Sequence, residues 1–140
     1  MLFTYTLTFR GVQLEGDPRV GTLLEEGKVE IEPGVDPMVV SRTYQRELRV
    51  EPANLFRGVK REQALAKLQE SRKDKNLLPG SDEFVDYILE ITYIPLEACS
   101  EGEVPTFHEY AHILSDEDAE RWGAMVRAIN PHWWGDEKKN

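Results

Sequence analysis

The sequence predicts an α+β fold: an antiparallel sheet of four to five strands with two to three helices, the C-terminal helix packed on the sheet. Three observations carry this. Phe3, Tyr5, Leu7 and Phe9 alternate with Thr4, Thr6, Thr8 and Arg10, the period of a half-buried strand. A second run, "VVSRTYQRELRV", is rich in strand formers and places Val40, Tyr44, Leu48 and Val50 on one face, interrupted by Arg42 and Arg46. Near the C-terminus Trp122, Met125, Val126 and Ile129 recur at i, i+3, i+4 and i+7, the stripe of an amphipathic helix.

The elements follow in chain order. The opening strand ends in the turn residues "GDPRVG", and "KVEIEP" reads as a short strand closed by Pro33-Gly34. The long strand over Val39–Val50 comes next. "REQALAKLQESRK" is dense in helix formers, with Ala64, Leu65 and Leu68 as a narrow apolar stripe. "NLLPGSDE" is a loop. "FVDYILEITYIPL" reads mostly as strand, with Tyr93 and Ile94 leading to Pro95. The last helix spans 116–129: Ser115 caps it, Asp118 completes a capping box, and Asn130-Pro131 ends it. Residues 1–135 form one domain and 136–140 a frayed tail.

The chain has 140 residues, enough to build a real core. No run approaches the roughly 18 apolar residues of a membrane span, and the N-terminus lacks the pattern of a signal peptide. One cysteine, Cys99, leaves no internal disulfide and no cysteine-based zinc cluster. A cytoplasmic setting is the expectation, and Cys99 itself is expected to be inert.

The net charge is −9. Residues 42–75 carry 10 basic and 5 acidic side chains, whereas residues 76–140 carry 4 basic and 14 acidic. An acidic chain is repelled by nucleic acid and by anionic membranes, and suits a basic protein partner.

The chemistry, if there is any, lies in "VPTFHEYAHILS". His108, Glu109 and His112 form a His-Glu-x-x-His pattern. On a helix the two histidines stand one turn apart and can share a zinc ion, with Glu109 as general base. On a strand they would lie roughly 13 Å apart, too far to share one. Phe107, Tyr110, Ala111 and Leu114 give a helical stripe, and Pro105 suits a first helical turn. The expectation is therefore a helix over 105–114. A hairpin with "ITYIPL" is the competing arrangement.

Residues 108–133 resemble the C-terminal motif of the YgjP-like and SprT-like zinc metallopeptidases. In that family His-Glu-x-x-His is followed six residues on by a third ligand, then by an amphipathic helix ending at Pro-x-aromatic. Here Asp118 stands six after His112, and Arg121, Trp122, Ala124, Met125, Val126, Pro131 and Trp133 fall in register. The family's third ligand is usually histidine, and its upstream Trp-Gly signature is missing from this chain. The resemblance implies a zinc-dependent hydrolase acting on a protein or peptide, with His108, His112 and Asp118 on the metal and Glu109 as base; His132 is a fallback ligand by residue type, though after Pro131 it reads rather as a loop histidine.

A second reading is of a different class. It takes the chain as a non-catalytic acidic binding protein, of the inhibitor, immunity or phage-accessory kind, docking on a basic partner through Asp116, Glu117, Glu120, Glu97, Glu101 and Glu103.

Overall fold

In the computed structural model, residues 1–11, 14, 16–73 and 92–133 are described. Three long strands come first: β1 (Leu2–Arg10), β2 (Thr22–Val29) and β3 (Met38–Val50). Then follow helix α1 (Leu55–Lys73), a short helix α2 (Ile94–Ala98), a short strand β4 (Ser100–Gly102), and helices α3 (Phe107–His112) and α4 (Asp116–Ile129). A 3-10 turn, Pro131–Trp133, closes the described chain.

β3 is the spine of the sheet. β1 pairs antiparallel along one of its edges, with Phe3 opposite Leu48 and Leu7 opposite Tyr44. The other edge is shared: β2 covers its first part, from Met38 to Gln45, and β4 covers Leu48–Val50. The four-stranded antiparallel sheet and the C-terminal helix against it are the α+β fold expected. The described helices number four, because α2 was read as strand.

The period-two reading of β1 holds residue by residue. Phe3, Tyr5, Leu7 and Phe9 are buried, and the residues between them face outward. Opposite them Tyr44, Arg46, Leu48 and Val50 form the inner face of β3. Val40 is not fully on that face. Gly27 pairs with Ser41 but Lys28 with Val39, so Val40 is an extra residue in β3, and Val39 is buried in its place.

α4 covers this inner face. Trp122 and Val126 are fully buried, while Met125 and Ile129 are only half-buried at the rim of the core. Trp122 is the hub: its ring lies 6.5 Å from Phe3, 6.4 Å from Tyr93 and 5.8 Å from Tyr110, centroid to centroid. A buried indole N–H needs an acceptor. It donates to Ser100 Oγ at 3.0 Å, and that hydroxyl donates to Leu96 O at 2.7 Å. Buried Asn130 fastens the far end of α4. Its side-chain oxygen accepts the N–H of Ala53 and its amide donates to Cys99 Sγ.

Three expectations are corrected. Thr92–Ala98 is helical, not strand: a π turn at Thr92–Tyr93 leads into α2, with Pro95 in its first turn, where the missing N–H costs nothing. Burial of Tyr93, Ile94 and Leu96 in the aromatic core outweighs their strand propensity; residues 84–91 of that reading lie outside the described residues. β2 spans Thr22–Val29, earlier than "KVEIEP", because its register is set by β3 and not by its own alternation. α1 begins at Leu55, six residues before the helix-forming run, since the Asn54 side chain accepts the N–H of Arg57 and caps it. Its stripe of Ala64, Leu65 and Leu68 is half-buried, as read.

Candidate functional site: the HEYAH helix

HEYAH lies on a helix. α3 spans Phe107–His112, and Thr106 caps it with a complete capping box. Thr106 Oγ1 accepts the N–H of Glu109 at 3.1 Å, and Glu109 Oε1 accepts the N–H of Thr106 at 3.0 Å. Pro105 therefore stands before the cap rather than inside the first turn. The Thr-x-x-Glu signature of this box is carried by "TFHE", inside the His-Glu-x-x-His motif.

Helical geometry separates the motif's residues. His108 and His112 share the outer face; both are exposed, with ring centroids 4.8 Å apart. Phe107 and Tyr110 turn inward onto Tyr93. Glu109, about 100° round the helix from His108, turns toward the sheet.

There it meets Arg46. The guanidinium Nη1 donates to Glu109 Oε1 at 2.8 Å, and Nε donates to Val20 O at 2.7 Å. The Arg46 side chain is 5% exposed and that of Glu109 14%. Burial alone would raise the Glu109 pKa, but the Arg46 hydrogen bond and the Thr106 N–H outweigh it and hold the carboxyl below its ordinary value. Burial also works against the charge on Arg46, and Glu109 and Tyr5 together more than offset it. The pair borders a hollow of about 320 Å³ lined also by Arg19, Val20, Glu103 and Val104. Gly21 makes the approach of Val20 possible: its φ is +118°, and a Cβ there would sit 2.8 Å from Arg46 Cγ. Arg46 was read from the sequence only as an interruption of an apolar face; nothing local marks it as the partner of a residue 63 positions away.

Tyr5 lies across from Arg46 in the β1–β3 register. Its hydroxyl donates to Glu103 O, and burial pushes its pKa up to about 12. Buried Cys99 behaves as expected of an inert thiol: burial raises it to about 11.

Asp118 does not join the histidines. Its Oδ1 accepts from Arg121 Nη1 at 2.6 Å, and Oδ2 lies 3.5 Å from the Thr6 N–H of β1. Its own N–H donates to Ser115 Oγ at 3.2 Å, so Ser115 caps α4 as predicted. The reciprocal half of that box gives way to the bond with Arg121. His132 sits past the opposite end of α4, about 20 Å along the helix axis at 1.5 Å per residue. Among the described residues no three His, Cys, Asp or Glu side chains gather as a metal site. The residues thus do not fit the three-ligand centre implied by the resemblance: two histidines are available, and both carboxylates are held by arginines.

The six acidic candidates divide. Glu101 pairs with Arg57 at 2.7 Å and with Arg49 at 3.4 Å. Glu103 accepts the Glu47 N–H at 2.8 Å, and Glu97 lies 3.4 Å from the Tyr93 hydroxyl. Asp116, Glu117 and Glu120 are exposed on the first turns of α4. Among the described residues they make no ion pair.

No known protein family, curated protein or solved structure matches this chain. No helix among the described residues is long and apolar enough to cross a membrane.

Proposed function

We propose that this chain is a non-catalytic acidic binding protein that docks on a basic protein surface through Asp116, Glu117 and Glu120. One observation carries the reading. The glutamate that a His-Glu-x-x-His enzyme needs as a free base is spent on structure, in a capping box and in a buried ion pair with Arg46. The three α4 carboxylates, by contrast, are unspent. Asp116 and Glu117 lie in the first turn, near the positive end of the helix dipole, and stabilise α4; the exposure of all three leaves them open to a cationic partner, which they would steer at long range.

Reversing Glu117 and Glu120 to lysine tests this. The variant should stay folded, losing no more than about 1 kcal/mol relative to the parent from the reversed helix-end charge. Its association with a captured basic partner should slow, and the difference between the two should vanish in high salt. Equal association rates at low salt would remove the patch.

The zinc-hydrolase reading retains the spacing of His108 and His112 in its favour, since two imidazoles one turn apart can clasp a divalent ion. For hydrolysis it would need Glu109 released from Arg46 and a third ligand found. Zinc titration followed by calorimetry separates the readings. A binding protein gives at most weak binding that His108→Ala abolishes. Tight one-to-one zinc binding, with peptide cleavage lost in Glu109→Gln, would reinstate the enzyme.

A further inference from the structure

β2 is the unguarded part of the sheet. Within the described residues it pairs only with β3, and its second edge faces no strand. Both of its faces are open as well: Leu24 is 53% exposed, Val29 50%, and Ile31 just beyond it 65%. An edge strand with exposed apolar side chains and free main-chain groups is a template for another strand.

The charges on this edge say what kind of strand. Glu26 is already matched, by Arg42 at 3.0 Å and Lys28 at 3.9 Å. Glu25, Glu30 and Glu32 make no ion pair among the described residues, and all three are exposed. They interleave with Leu24, Val29 and Ile31 in sequence. A second copy of this chain would bring the same unmatched carboxylates to the seam, together with another net charge of −9.

We propose that the free edge of β2 docks an extended segment of a partner protein in which basic and β-branched residues alternate. Main-chain hydrogen bonds hold the segment; on one face its basic side chains reach Glu30, and on the other its apolar ones cover Val29 and Ile31. Leu24 is an extra residue in β2, since Leu23 pairs with Tyr44 but Glu25 pairs with Thr43. That bulge interrupts the ladder, so the docked strand pairs along Glu25–Val29. This surface is separate from the α4 carboxylates and does not depend on them.

A labelled peptide of alternating lysine and valine is the probe, read by fluorescence anisotropy and by amide hydrogen exchange of the protein. Binding should be saturable and should slow exchange of the β2 amides. The Glu30→Lys variant, altered only at an exposed position, should bind severalfold more weakly. Glu117→Lys/Glu120→Lys should leave the affinity as it was, which separates this surface from the α4 reading. The same peptide N-methylated at every residue keeps its charge but cannot pair as a strand, and should not bind. Equal binding of the methylated peptide, equal loss from the two charge-reversal variants, or protection mapping elsewhere would each overturn the proposal. So would concentration-dependent self-association through β2, which would make the occupant a second copy.

Discussion

Trp122 and Leu24 are both large apolar side chains, and the molecule treats them oppositely. Trp122 is fully buried at the centre of an aromatic cluster, its N–H satisfied by Ser100. Leu24 stands half in water on a strand that, among the described residues, pairs only with β3. The half of the sheet beneath α3 and α4 is a closed, cross-linked core. At the other end the sheet runs β1–β3–β2, and β2 is exposed along nearly all its length. Buried apolar contacts are therefore concentrated at one end of the molecule, and β2 at the other end is left exposed. An apolar residue in the first region is there for folding, whereas one in the second has no folding task to explain it.

The largest test of that contrast is Trp122→Ala. Removing the hub should cost about 3–5 kcal/mol, measured by urea unfolding. A cost below about 1 kcal/mol would mean that the core is not organised around this side chain.

Arg46→Met comes next. It leaves the Glu109 carboxylate without its partner and should cost about 2–3 kcal/mol, less than a fully buried pair would, because Glu109 keeps some solvent contact. Adding Glu109→Gln to Arg46→Met should recover part of the loss. No recovery would show that the arginine acts through packing or through its bond to Val20 instead.

The same pair fixes a pH dependence. The Glu109 pKa is lowered in the folded chain from an ordinary value of 4.5. Its stabilising contribution is thus present in full well above pH 4.5 and drains away as pH falls through that value toward the folded pKa. In Glu109→Gln the acid limb of the stability curve should be shallower. Identical curves would mean that the bond to Arg46 gives no net preference for the charged form.

The smallest effect belongs to the open region. Leu24→Thr should shift unfolding by no more than about 0.5 kcal/mol, because the side chain gains little burial on folding. A larger loss would show that the β2 face is covered, and would sharpen the case for an occupant.

Some of this was legible in sequence because the signal is local. Period two in β1 says which residues go inside, since neighbouring side chains on a strand must face opposite ways. The α4 stripe and the Ser115 cap are likewise set by residues within a turn of one another, and so is the helical state of HEYAH. Tyr93 shows the limit: its strand-forming neighbours were overruled by contacts with Phe107, Tyr110 and Trp122, none of them local.

The candidate site marks the same division. The sequence alone favoured a helix that puts His108 and His112 on one face, with Glu109 offset from them by about a quarter turn as a base beside the metal. What lies on the other side of Glu109 was decided by the tertiary fold. The β1–β3 pairing places Arg46 on the inner face, and the packing of α3 over that face brings a carboxylate within 2.8 Å of it. A charge on an otherwise apolar strand face reads as an interruption until a partner from a distant segment neutralises it. Burial of an unpaired guanidinium is too costly to persist, so the sequence implies that some acceptor must arrive, and only the fold chooses Glu109.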